Sequence, residues 1–222
     1  LYHEGQGARM TDVIRRKIDR ARPALSEGAP GADRGWRLAL ARAAHDAMGL
    51  DLEFRSLSIA RRSLAEILEL VPDLALLALL DGPQGGLGVI MLAPSVTATL
   101  IEMQTLGRLS AQPSPTRKAS RIDAAMVAGV VDRALAGLDE TLAEEADLTW
   151  AGGFRYASFL EDARPLALML EEDTYRGLSA TVSLGGAGRE GQVILVLPSI
   201  GRGLRPQAST DPTEADAPQF TS

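Results

Sequence analysis

A repeat limits what this chain can become more than any other feature. Leu92-Ala93-Pro94-Ser95 is answered by Val196-Leu197-Pro198-Ser199 at an offset of 104 residues, and Phe54-Arg55 by Phe154-Arg155 at an offset of 100. The order of elements around these matches also recurs. Residues 36–94 read as helix, strand, short element, hairpin and proline, and residues 122–198 run in a similar order. Two such units are expected to share one sheet in a pseudo-symmetric α/β domain. With 222 residues, 45% of them hydrophobic, the chain can form one main domain with a sizeable core.

Periodicity and breakers place the elements. Trp36, Leu40, Ala43, Ala44 and Ala47 recur at helical spacing ahead of Gly49. Residues 52–58 alternate as a strand, 64–71 form a short helix before Pro72, and the apolar runs 74–80 and 87–92 make a hairpin around Gly82, Pro83, Gly85 and Gly86. Pro94 suits the first turn of a helix that carries Val96, Leu100 and Met103 and stops at Gly107. A polar connection with Pro113 and Pro115 follows. Ser120 and Asp123 have capping-box spacing, and Val127, Val131, Leu135, Leu138 and Leu142 form one stripe, which predicts a long helix over 122–143. Strands are expected at 149–160, 166–171, 177–184 and 192–197. Outside this body, 1–35 reads as a flexible segment with a short basic helix at 11–22 and a linker at 26–35. The tail 201–222, with Pro206, Pro212 and Pro218, reads as a linker or disordered end. The domain is therefore expected over 36–200.

Composition excludes several chemistries. Without cysteine there are no disulfides, thiolate metal sites or thiol nucleophiles, and His3 and His45 are too few for an imidazole-based metal site. A net charge of −6 disfavours nucleic acid as a partner. No run matches a signal peptide or a spanning helix, so a cytoplasmic location is expected. Gly186-Ala187-Gly188-Arg189-Glu190-Gly191 matches a dinucleotide-binding pattern by letters, but a strand follows it instead of a helix, so a hairpin turn is expected there. The acidic runs Glu144-Glu145 with Asp147, Glu161-Asp162 and Glu171-Glu172-Asp173 read as solvated turns, and no nucleophile motif places a base beside His45. No catalytic residue, cofactor or metal is expected, and no small-molecule substrate.

The stretch Leu100-Ile101-Glu102-Met103-Gln104-Thr105-Leu106-Gly107-Arg108, a proline-rich loop, and then Arg121-Ile122-Asp123 opening a long helix resembles the FliM family of flagellar motor switch proteins. The resemblance covers roughly residues 36–198. It implies a three-layer α/β/α domain with an internal pseudo-two-fold, of the FliM middle-domain or CheC-like kind. It also implies a non-enzymatic scaffold of the rotor C-ring in motility and chemotaxis, peripheral to the inner membrane at the flagellar basal body. The implied partners are a FliG-like rotor protein and a FliN-like protein, with phosphorylated CheY a further candidate and self-association in a ring. Gly107, Arg108 and Leu109 stand where the family presents a Gly-Gly-x-Gly docking loop, here reduced to Gly107-Arg108. Gly107 is expected at positive φ, turning Arg108 and Leu109 outward from the rim. Residues 10–22 are basic and do not match the family's CheY-capturing peptide. Two alternatives share the resemblance: a type III secretion ring subunit, and a CheC-type phosphatase acting on CheY phosphate. The second calls for a helical carboxylate and an asparagine. Asp123 lies on the appropriate helix, but the sequence contains no asparagine.

Overall fold

The computed structural model describes residues 31–171, 174–186 and 188–200. The basic helix expected at 11–22, residues 26–30 of the expected linker, and the tail at 201–222 lie outside the described residues. In chain order the elements are α1 (Ala32–Met48), β1 (Leu52–Arg62), α2 (Leu64–Glu69), β2 (Leu76–Asp81), β3 (Leu87–Leu92), α3 (Pro94–Leu106), α4 (Arg121–Thr141), α5 (Leu148–Ala151), β4 (Arg155–Leu160), α6 (Leu166–Met169), β5 (Tyr175–Leu184) and β6 (Arg189–Pro198). A 3-10 turn, Pro83–Gly85, links β2 to β3.

The strands form one sheet in the order β1-β5-β6-β3-β2-β4, and every pairing is antiparallel. Strands β2, β3 and β6 are near-continuous apolar runs because both of their faces are covered. On one face Leu80, Ile90, Leu92, Val182 and Leu195 meet Trp36 and Leu40 of α1 and Val127, Val131, Leu135 and Leu138 of α4. On the other, Leu77, Leu79, Val89, Met91, Ile194 and Val196 are covered by α2 and α6 through Ile67 and Leu166, with Leu170 just beyond α6. The result is three layers, α/β/α.

Exchanging β1–β3 for β4–β6 turns the sheet order into its own reverse. That is the signature of a two-fold axis between β3 and β6, normal to the sheet. The helices α1 and α4 lie together on one face, with Gly35 under Leu138 and Leu142 and Gly137 against Ala39. The duplication therefore holds in topology, although the four-letter match does not superpose. An axis normal to the sheet preserves faces, and Leu92 faces the long helices while Val196 faces the short ones. An offset of 104 is one residue out of register, whereas Phe54 and Phe154 both reach the helix-side core.

Strand β1 runs on past 58 to Arg62 and β6 starts at Arg189 instead of 192, and three further departures have a local cause. Helix α1 begins at Ala32, inside the expected linker, because Gly31 caps it and the Ala32 N–H donates to Asp147 Oδ2 at 2.9 Å. The strand expected at 149–160 begins only at Arg155, since Leu148–Ala151 forms a helical turn that Gly152 and Gly153 end. The strand expected at 166–171 is the helix α6: Pro165 sets its first turn, and Leu166 and Leu170, four apart, both point into the core.

Candidate interaction site

The site is built on α3, where Pro94 occupies the first turn and Glu102 is the only charged residue. The helix ends at Gly107, whose φ of 65° and ψ of 9° are left-handed, with its N–H donating to Met103 O at 2.9 Å. Only glycine takes this conformation without steric cost, so the chain can turn sharply at the rim. Beyond it Arg108 is exposed, with no hydrogen bond or ion pair among the described residues. Leu109 corrects the sequence reading, because it is half-buried and turned against the core. A Cβ placed on Gly185 would lie 2.3 Å from Leu109 Cδ1. The apolar part of the rim is instead Leu106, 57% exposed. Of the three expected residues, Gly107 and Arg108 stand at the rim and Leu109 anchors the loop beneath it.

Two ion pairs clamp the loop that follows. Glu102 and Arg189 are both buried, their side chains 6% and 4% exposed. The Glu102 carboxylate accepts from the Arg189 guanidinium and from the Ser110 N–H, and Arg189 also donates to Ser110 O. Arg189, with help from Ser110, holds the Glu102 carboxyl down to about 2. At the other end Arg117 donates through both terminal nitrogens to Asp123, at 2.7 and 2.8 Å. Asp123 also accepts from Ser120 N–H at 2.7 Å and Ser120 Oγ at 2.8 Å. Arg117 above all keeps the Asp123 carboxyl well below the usual carboxylate range.

Between the clamps the loop bridges over α3 and leaves a groove of about 250 Å³. Ala98, Ile101, Leu106, Pro115 and Ala119 make it apolar, with Thr97, Thr105 and Arg117 among its polar members. A smaller hollow of about 200 Å³ lies under the same loop toward Arg189 and Glu190.

Several of the groups that sequence offers for catalysis are otherwise engaged. Asp123 has both carboxylate oxygens committed to the cap and to Arg117. Asp147 accepts from Trp150 Nε1 at 2.9 Å, and Asp162 is held by Arg164 at 2.7 Å. His45 is exposed, 3.3 Å from Asp51. Among the described residues no group of three or more potential ligands could hold a metal ion. The glycine-rich stretch at 185–191 is the β5–β6 turn: Leu184 pairs with Arg189, and β6 starts there. Glu102, Arg117 and Arg189, which shape the site, escaped the sequence reading. A lone charge in an apolar helix was the available signal for Glu102.

No family model matches the sequence, and no curated protein matches it. Solved structures do match. One belongs to a FliG–FliM complex from H. pylori, with TM-score 0.59 and 14% identity over 76% of this chain and 93% of that one. The FliM middle domain from H. pylori aligns with TM-score 0.56 and 14% identity over 77% and 93%. Thermotoga maritima FliY aligns with TM-score 0.55 and 11% identity over 75% and 87%. This is the FliM middle-domain fold. Within the FliM fold, the residues that carried the resemblance are α3 with its glycine stop and the capped start of α4. Among the described residues, no helix is long and apolar enough to cross a membrane.

Proposed function

We propose that this chain is a non-enzymatic scaffold subunit of a flagellar rotor ring, docking a FliG-like partner at the rim formed by Gly107 and Arg108. The reading rests on the FliM middle-domain fold together with a clamped loop that presents an uncommitted arginine. A structural neighbour was solved in a FliG–FliM complex. Arginine suits such a contact because its planar fork pairs with carboxylates through two bonds. Ring neighbours would pack side by side, at the cytoplasmic base of the motor. The phosphatase reading is weaker, since Asp123 has no free oxygen and the sequence has no amide of asparagine length to orient water.

The test is association with the FliG-like protein of the same cell. Arg108→Glu is expected to weaken it by about 1 to 3 kcal/mol with an unchanged melting curve. Equal binding by calorimetry would remove this rim as the docking site. Faster loss of CheY phosphate in the presence of the chain would reinstate the phosphatase.

A further inference from the structure

We infer that Arg61 and Arg176 form a binding site for a phosphate-type dianion, at the end of the sheet remote from the rim. The inference goes beyond the docking reading and does not rest on it.

The sheet itself brings the two arginines together. Arg61, near the end of β1, is the direct antiparallel partner of Arg176, near the start of β5. Their side chains therefore leave the same face with Cβ atoms about 5 Å apart. Alternation along β1 sends Arg62 to the other face, where it lies against Gly177 and pairs with Glu66 at 3.4 Å. The rim is elsewhere: Leu109 sits under Gly185, just past Leu184 of β5, and the eight residues from Leu184 back to Arg176 span roughly 25 Å.

Like charges directly opposite one another destabilise a sheet, and this pair has no carboxylate to offset them. Neither arginine makes an ion pair among the described residues. The Arg176 guanidinium stacks 4.5 Å from the centroid of the Trp150 ring, and Trp150 is itself buried. Stacking fixes the fork but does not satisfy it, because Arg176 Nε is buried with no hydrogen-bond acceptor. Burial pulls the Arg176 pKa below the ordinary arginine value, Asp147 opposes that shift, and Arg61 adds to it. Asp147 cannot serve as counter-ion. Its Oδ1 accepts from Trp150 Nε1 and its Oδ2 from the Ala32 N–H, both at 2.9 Å. A desolvated cation held against a second one, with its donors unmet, is the kind of local cost that folds retain at functional sites.

Access and charge name the ligand. Arg61 is exposed and Arg176 half-buried, so an ion from solvent reaches both. Guanidinium forks pair with carboxylate and phosphate oxygens through two bonds. A carboxylate would neutralise one arginine, whereas a phosphate monoester, close to doubly charged at neutral pH, neutralises both. Trp150 holds one fork in place beforehand, and the freer Arg61 closes on the ion from across the ladder.

The test titrates the full chain in phosphate-free buffer at constant ionic strength, by calorimetry and by tryptophan emission, since Arg176 lies on Trp150. The probes are O-phospho-L-serine, with L-serine and acetate as controls, and phosphatidylcholine vesicles with or without phosphatidic acid. Phosphoserine is expected to bind saturably and at least tenfold tighter than acetate or serine. Arg61→Gln and Arg176→Gln should each weaken it at least tenfold, while Arg133→Gln, exposed on α4, should leave it unchanged. Without phosphate, Arg61→Gln should melt no lower than the parent, because it relieves the repulsion. If Arg176→Gln folds poorly, Arg61→Gln on the exposed edge strand decides alone. Binding confined to phosphatidic acid vesicles and lost in Arg61→Gln would support the same dianion chemistry and assign its source to a lipid headgroup. No saturable binding of either phosphate probe, acetate binding as tightly as phosphoserine, or undiminished binding to Arg61→Gln would overturn the inference.

Discussion

At the scale of single residues, the pair that most determines the site is Glu102 with Arg189. Two buried charges are tolerable only when each satisfies the other, and here both also hold Ser110. Glu102→Ala leaves Arg189 buried and unpaired and is expected to cost about 3–5 kcal/mol in chemical denaturation. Its pH dependence has a definite sign. The Glu102 carboxyl titrates at about 2 in the fold, against 4.5 when unperturbed, so its contribution is complete above about 4.5 and is lost as pH falls toward 2. Melting followed from pH 6 to pH 2 should show a smaller acid-induced drop in Glu102→Gln than in the parent, alongside lower stability at neutral pH. An equal drop in both would mean that other carboxylates govern the acid response. None of this was legible beforehand, because the partners are 87 positions apart and neither sits in a motif.

At the scale of elements, what could be read was whatever carries its own local signal. The start of α4 is one case: Ser120 accepts from the Asp123 N–H while Asp123 accepts from the Ser120 N–H, as their spacing indicates. Ser120→Ala should therefore cost about 1 kcal/mol and lower the melting temperature by roughly 2–4 °C, and a thermal melt checks it. Strands β2, β3 and β6 were legible as apolar runs, and Gly107 as a stop. Helices α5 and α6 were not. A four-residue apolar stretch such as Leu166–Met169 has the same letters as a buried strand, and only the partner surface decides between them. Leu109 was misread for the same reason: nothing local shows that Gly185 leaves room beneath it.

At the scale of the whole molecule, the sheet joins the halves more closely than a simple duplication would. Strand β1 pairs only with β5, and β4 only with β2, so each half lends its first strand to the other. Most of the sheet therefore closes through contacts remote in sequence, and folding on the order of milliseconds to seconds is expected in stopped-flow refolding. Cutting the exposed loop at residues 111–116 should leave both pieces bound to one another on gel filtration, because neither owns a complete sheet. Separation of the pieces without denaturant would contradict the interleaved pairing. Made alone, a half could satisfy its orphaned strand only by trading it with a twin. The intact chain is, in that sense, a strand-swapped dimer whose two ends have been sewn together, and its loop at 108–120 is the seam.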